Sequence, residues 1–104
     1  MNDRELLELA AKAVGEDVAW HETGSYFYRK SCEWPAEKGF FNPLHDDGEA
    51  LRMAAALDID IYYQPTRAIA GRVMRMTECF GGNKQRAVRR AIVRAAAEIG
   101  RSHS

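Results

Sequence analysis

His45, Asp46 and Asp47 stand side by side in the stretch FFNPLHDDGEALRMAAALDIDI, which runs from Phe40 to Ile61. Imidazole and carboxylate groups can bind metal ions or transfer protons, so the triplet has the residue types of an active site. One hypothesis is therefore a small hydrolase centred on His45. Such an enzyme requires a cleft that joins His45 to a second titratable group.

The same triplet is also typical of the start of a helix. Asp46 occupies the position of an N-cap, and Glu49 follows three residues later, as in a capping box. Asp47 then lies in the first turn, where a negative charge is favoured by the helix dipole. We therefore predict a helix over residues 47–57. Its buried face is predicted to contain Leu51, Ala54 and Ala55, flanked by Ala50 and Leu57.

Neither a metal site nor a cofactor is predicted. A magnesium or calcium ion would need more oxygen ligands than the triplet supplies. The two cysteines, Cys32 and Cys79, form no CxxC pair, which argues against a disulfide framework and a local zinc motif. We expect two reduced thiols, and the leading interpretation assigns no catalytic residue.

The charges are divided unevenly along a chain whose net charge is zero. Residues 1–60 contain 13 acidic and 6 basic residues, whereas residues 61–104 contain 2 acidic and 9 basic residues. One explanation is that the two halves attract each other within one fold. The other is that a basic face of the protein binds an acidic partner.

The predicted last helix, over residues 84–99, concentrates the positive charge. Arg86, Arg90 and Arg94 follow at a spacing of four residues, and Arg89 broadens the patch. Three alternatives remain open: acidic residues of positions 1–60 or screening by solvent, an acidic protein partner, or the phosphates of a nucleic acid. A sequence pI of about 6.8 and the lack of a known nucleic-acid-binding motif favour the first two.

The segment GGNKQR, at the start of this helix, combines a turn with positive charge. Gly81 and Gly82 predict a turn, and Asn83 can cap the helix. Cations in the first turn are disfavoured by the helix dipole, and a bound anion would relieve that repulsion. The segment lacks the spacing of a nucleotide-binding loop, and a turn followed by an N-cap explains it more simply.

Aromatic residues are concentrated in a predicted hairpin over residues 17–30, with its turn at Thr23-Gly24. Alternation along the second strand places Phe27 on one face and Tyr26 and Tyr28 on the other. We expect one set in the core and the other on an exposed binding surface, which Tyr62 extends from a nearby strand. The alternative is that all of them pack beneath helices or beneath the loop over residues 31–43.

The remaining elements complete an α+β fold. A first helix is predicted between Asn2 and Gly15, a strand over residues 59–64, and a further strand within residues 68–78. The order is α-β-β-α-β-β-α in a single domain over residues 1–104. This order predicts a helix–sheet–helix sandwich with a mainly antiparallel sheet.

Two segments resemble a group of small phage and prophage proteins. NPLHDDGEALRMAAALDIDI (Asn42 to Ile61) is similar to an element of the phage α/β/α-sandwich domain proteins, and RRAIVRAAAEIGR (Arg89 to Arg101) is similar to their C-terminal helix. The NinX family is a more distant likeness. The resemblance covers about a third of the chain. It implies a helix–sheet–helix sandwich and a phage or prophage origin, and it implies no activity.

The leading prediction is a small phage or prophage accessory protein, not an enzyme, that binds a host or phage macromolecule, with an unidentified protein as the expected partner and with counter-defence and host takeover as typical roles. Nucleic-acid binding through the arginine helix and the His45 hydrolase are the alternatives. The apolar runs are too short to cross a bilayer and a signal-peptide pattern is lacking, so we expect a cytoplasmic monomer or homodimer without a membrane partner. The candidate binding residues are Arg86, Arg89, Arg90, Arg94, Tyr26, Tyr28 and Tyr62.

Overall fold

The computed structural model describes residues 2–24, 26–29, 40–64, 67–71, 75–79 and 81–102. Within these residues, three helices and six strands follow the order αβββαβββα. The helices are α1 (Asp3–Val14), α2 (Asp47–Ala56) and α3 (Lys84–Ser102). The strands are β1 (Val18–His21), β2 (Tyr26–Arg29), β3 (Phe40–Phe41), β4 (Asp60–Gln64), β5 (Arg67–Gly71) and β6 (Arg75–Cys79).

The strands form two antiparallel sheets of three strands each, in the orders β1-β2-β3 and β4-β5-β6. The predicted α+β class and antiparallel pairing are confirmed, but one sheet was expected and the described strands form two. Two strands are additional. Phe40–Phe41 pairs with β2, and the segment predicted as one strand within residues 68–78 reverses direction after Gly71, so that Ile69 lies opposite Thr77.

Helix α3 is the centre of the molecule. It packs on α1, on α2 and on strands β5 and β6 of the second sheet. Small side chains allow these close contacts: five alanines of α3 are buried together with Gly100. A methyl group at Gly100 would overlap the backbone carbonyl of Leu9 in α1, so the two helices approach here more closely than any other residue permits.

Each sheet turns one face towards this helical layer. Trp20, Phe27 and Phe41 lie opposite one another across the first sheet, and Phe27 and Phe41 are buried in the core. In the second sheet, Ala68 and Ala70 of the central strand are fully buried beneath α3. Small residues on β5 thus match the small residues on the helix above them.

The helix caps confirm the local predictions. The side chains of Asn2, Asp46 and Asn83 each accept a hydrogen bond from the backbone N–H three residues later, at 2.9, 3.1 and 3.0 Å. Gly15 ends α1 with a φ of 76°, a left-handed conformation that glycine adopts without strain. Gly81 and Gly82 form the predicted turn before α3, also with positive φ angles.

The predicted buried face of α2 is wrong at Leu51 and Ala55, which are both exposed. The residues that α2 buries are Glu49, Ala50, Met53 and Ala54. The helix is rotated by about a quarter turn from the expected orientation. In the observed orientation the side chain of Glu49 points inwards and bonds Arg29 of β2.

The described helices include none that is long and apolar enough to cross a membrane. Cys79 is a free thiol at the surface. The predictions for Cys32, and for residues 31–39 of the expected loop, lie outside the described residues.

Replacing Gly100 with alanine tests the close approach of α1 and α3. We expect Gly100→Ala to lower the free energy of unfolding by about 1–3 kcal/mol, because the added methyl must push the Leu9 carbonyl away. Urea unfolding followed by circular dichroism measures the change. Gly48→Ala is the matched control, since its methyl meets mainly the flexible end of Arg52, at 3.3 Å. Equal effects of the two substitutions would contradict the prediction.

Replacing Asp58 tests the end of α2. Asp58 has a φ of 54°, and the following Ile59 N–H donates back to the Ala54 carbonyl (2.9 Å). Because a Cβ atom is strained in this left-handed conformation, we expect Asp58→Gly to raise the unfolding free energy by up to about 1 kcal/mol. Asp58→Ala removes the same charge but keeps the Cβ atom, and should show no gain.

Candidate functional site

An open cleft of about 950 Å³ lies where the first sheet meets the start of α2. Strands β2 and β3 supply one wall, and the turn before α2 and α2 itself supply the other. The lining combines aromatic rings, both signs of charge and one imidazole. The residues are Tyr26, Arg29, Phe40, Asn42, His45, Asp46, Glu49 and Arg52.

A nearly buried ion pair forms the base of this cleft. Arg29 lies on the inward face of β2, two residues beyond the buried Phe27, and its guanidinium bonds the carboxylate of Glu49. Glu49 is only 7% exposed. Arg29 also pairs with Glu16 at 3.2 Å and donates to the carbonyl of Phe40 at 2.8 Å. One guanidinium therefore links α1's end, β2, β3 and α2.

The environment of Arg29 keeps it charged. Burial alone would lower the pKa of the guanidinium, but the hydrogen bond and the negative charge of Glu49, with a smaller contribution from Glu16, outweigh burial and raise this pKa above its ordinary value. The pair is a structural interaction.

Glu49 is not the second half of a capping box. Its backbone N–H donates to Asp46 Oδ1, as predicted, but its side chain reaches Arg29 and not the N–H of Asp46. That N–H donates to the carbonyl of Asn42 at 3.0 Å. The pattern D-x-x-E therefore predicted the N-cap of Asp46 correctly and the role of the Glu49 side chain wrongly. The sequence pattern could not show the second contact, because Arg29 is 20 residues away along the chain.

His45 lines the cleft and is exposed to solvent. Its Nδ1 lies 3.0 Å from Asn42 Oδ1. A proton on Nδ1 would donate to this oxygen and leave Nε2 as an acceptor. The cleft thus joins His45 to titratable groups, which the hydrolase hypothesis requires. However, Asp46 caps α2 and Glu49 pairs with Arg29, and the described residues contain no cluster of potential metal ligands.

An aromatic surface adjoins the cleft on the outer side of the first sheet. We call it the aromatic face, and it consists of His21, Tyr26, Tyr28 and Phe40. Tyr26 stacks on His21 with ring centroids 4.8 Å apart, and Phe40 meets Tyr26 edge-on at 5.0 Å. The His21 ring is itself fixed, because Nδ1 accepts the N–H of Gly24 at 2.9 Å.

The aromatic face agrees with the predicted alternation of β2: Phe27 is in the core, and Tyr28 is 38% exposed on the opposite face. Phe40 was missed, because the sequence indicated a loop there. It is 42% exposed while its neighbour Phe41 is buried. Adjacent residues of a strand point to opposite faces, so a strand predicted at Phe40-Phe41 would also have predicted that one of the two rings is exposed.

Tyr62 does not extend the aromatic face as predicted. It lies on β4, which belongs to the second sheet and does not pair with β1, β2 or β3. Its ring is 42% exposed on the outer side of that sheet, opposite Ile69. The sequence could not separate the two sheets, because strand pairing is a long-range property.

Three of the four candidate arginines of α3 are bonded within the fold. Arg89 donates to the Leu44 carbonyl (2.9 Å) and to Asp47 (2.6 Å). Arg90 pairs with Asp3 (2.9 Å) and Glu78 (3.0 Å). Arg94 pairs with Glu78 (2.8 Å) and also donates to the Thr77 carbonyl.

The pairs of Arg89 with Asp47 and of Arg90 with Asp3 agree with the first of the three alternatives, in which acidic residues of positions 1–60 reach the arginines. Two of the acids, Asp3 and Asp47, come from the acidic half of the chain, whereas Glu78 does not. Of these four arginines, Arg86 alone is exposed and forms no ion pair with a described residue. The structure therefore does not gather the four arginines into one open basic surface.

Comparison with known proteins finds no relative: no protein-family model, no curated protein and no solved structure matches the chain.

A double-mutant cycle on Arg29 and Glu49 tests the buried pair. We expect Arg29→Met to lower the unfolding free energy by about 3–5 kcal/mol, because Glu49 then remains buried without a partner. The double variant Arg29→Met/Glu49→Met should lose much less unfolding free energy than the summed losses of the single variants Arg29→Met and Glu49→Met. Urea unfolding at constant pH gives all three values. Additive losses would show that the two groups do not interact.

Proposed function

We propose that this protein is a small phage or prophage accessory protein that acts without catalysis, by binding a host or phage protein through the aromatic face. The observation that supports this proposal most directly is that Tyr28 and Phe40 are exposed side by side, on a face that borders the open cleft. Exposed aromatic rings beside polar groups are enriched in protein–protein interfaces. Counter-defence or host takeover in the bacterial cytoplasm is the proposed setting.

The rigidity of the aromatic face supports this proposal. Stacking on His21 and the edge contact with Phe40 hold Tyr26 in place, so little side-chain freedom remains to be lost on binding. Arg52 and His45, both exposed, lie at the border of the face and can supply polar contacts around an apolar centre. This arrangement is typical of an interface with a central anchor and a polar rim.

The alternatives have less support from the described residues. Nucleic-acid binding through α3 would have to break the ion pairs of Arg89, Arg90 and Arg94 or use their remaining N–H groups. A hydrolase centred on His45 would need a free carboxylate or a nucleophile in the cleft, and both nearby carboxylates already serve the fold. The phage origin rests on the resemblance of residues 42–61 and 89–101.

Removing the aromatic face should abolish binding of the partner. We expect tagged wild-type protein to retain a specific protein from a bacterial lysate at moderate salt, and Tyr28→Ala/Phe40→Ala to lose it. Both side chains are partly exposed, so the variant should keep its thermal stability within the range typical of surface substitutions. Quantitative mass spectrometry of the retained proteins, with and without nuclease, measures the effect.

Tyr62→Ala is the matched control, since Tyr62 is as exposed as Phe40 but lies on the other sheet. It should retain the partner. A partner that stays bound to the double variant contradicts the proposal. Retention that disappears with nuclease, and that weakens steeply with salt, would instead favour nucleic acid.

A further inference from the structure

The hydrogen bonds of His21 define which of its ring nitrogens carries the proton. His21 ends β1 and belongs to the aromatic face. The backbone N–H of Gly24 donates to its Nδ1 at 2.9 Å, and Thr23 Oγ1 lies 3.2 Å from the same nitrogen. A backbone N–H group can only donate, so Nδ1 is the acceptor and carries no proton. The proton of the imidazole is therefore on Nε2.

The Nε2–H group is accessible from outside the protein. The hydrogen bonds of His21 within the described residues all involve Nδ1. Among the described residues that are not themselves exposed, no buried side-chain nitrogen or oxygen lacks a hydrogen-bond partner. His21 is half-buried, so its Nε2 is not one of the buried atoms. The hairpin turn thus holds a hydrogen-bond donor at the surface in a fixed orientation.

Aromatic rings surround this donor. The ring of Tyr26 stacks on the imidazole with an interplanar angle of 8°, and Tyr28 meets it edge-on with centroids 6.5 Å apart. An N–H group lies in the plane of its ring, so a ring stacked on the face of the imidazole does not cover it. A hydrogen bond formed at Nε2 would be bordered by apolar carbon atoms, and a lower local dielectric strengthens such a bond.

The charge near the donor favours an uncharged acceptor. Glu22 follows His21 in the chain and is exposed. The whole first sheet lies within residues 1–60, which contain 13 acidic and 6 basic residues. A carboxylate or phosphate group that approached His21 would be repelled by these acids, whereas the carbonyl oxygen of an amide has no net charge.

We propose that His21 determines the specificity of the aromatic face by donating its Nε2–H to an uncharged amide carbonyl of the partner. An apolar group beside that carbonyl packs on Tyr28 and Phe40, the exposed rings of the face. This inference rests on the proposed function for the partner being a protein, in which amide carbonyls are abundant. The donor itself is a property of the isolated chain and is tested without the natural partner.

Three small probes of similar shape test the donor. Acetophenone combines a ring with a carbonyl oxygen, ethylbenzene lacks the oxygen, and benzoate has a charged acceptor in the same place. Each probe is titrated into the full chain, and the NMR shifts of the rings of His21 and Tyr28 give its dissociation constant. Long-range proton–nitrogen correlation spectra show which nitrogen of His21 is protonated.

We expect a protonated Nε2 and binding of acetophenone about fivefold tighter than binding of ethylbenzene, the ratio that one hydrogen bond provides. Benzoate should bind more weakly than acetophenone. In the wild-type chain, the Nε2 resonance should shift with acetophenone and not with ethylbenzene, a result that requires no variant.

His21→Phe keeps a ring that can stack on Tyr26 but lacks the donor. The preference for acetophenone over ethylbenzene should disappear in this variant, and unchanged affinity for ethylbenzene will show that the face is intact. Tyr62→Ala, on the other sheet, is the control and should keep the preference.

Four results would overturn the proposal. They are a proton on Nδ1, binding of acetophenone no tighter than that of ethylbenzene, binding of benzoate tighter than that of acetophenone, and a preference that persists in His21→Phe. The last result would assign the donor to a tyrosine hydroxyl group. A chain that prefers acetophenone but retains no protein from the lysate would contradict the proposed function alone.

Discussion

The close contact between α1 and α3 is the constraint on which the other parts of the structure depend. Gly100 allows the α3 backbone to meet the Leu9 carbonyl, and the buried alanines of α3 let three further elements pack around it. A helix that is buried on several sides can expose only long side chains at its margins. Arg89, Arg90 and Arg94 occupy those margins, which places their guanidinium groups next to α1, α2 and β6.

The electrostatic pattern follows from this packing. Arg89 and Arg90 reach Asp47 and Asp3 in the acidic half of the chain, and Arg94 shares Glu78 with Arg90. Exposed pairs of this kind each contribute little to stability, so their effect is mainly to neutralise like charges that a single helix would otherwise crowd together. The pair of Arg29 and Glu49 is different, because burial makes the loss of either partner costly.

The aromatic face is a surface that this packing leaves uncovered. Strand alternation turns Phe27 and Phe41 inwards, and it consequently turns Tyr28 and Phe40 outwards. The orientation of α2 that turns Glu49 towards Arg29 leaves Leu51 exposed. The ion pair of Arg29 and Glu49 lies at the base of the cleft beside this face.

The sequence by itself determined the features that depend on neighbours along the chain. The caps at Asn2, Asp46 and Asn83, and the alternation around Phe27, are local, because each involves residues within a few positions. Tertiary structure alone decided the partner of Glu49, the neutralisation of the arginines and the assignment of Tyr62 to a second sheet. Arg90 and Asp3 are 87 positions apart, and no local pattern encodes which distant group an exposed charge or a strand edge will meet.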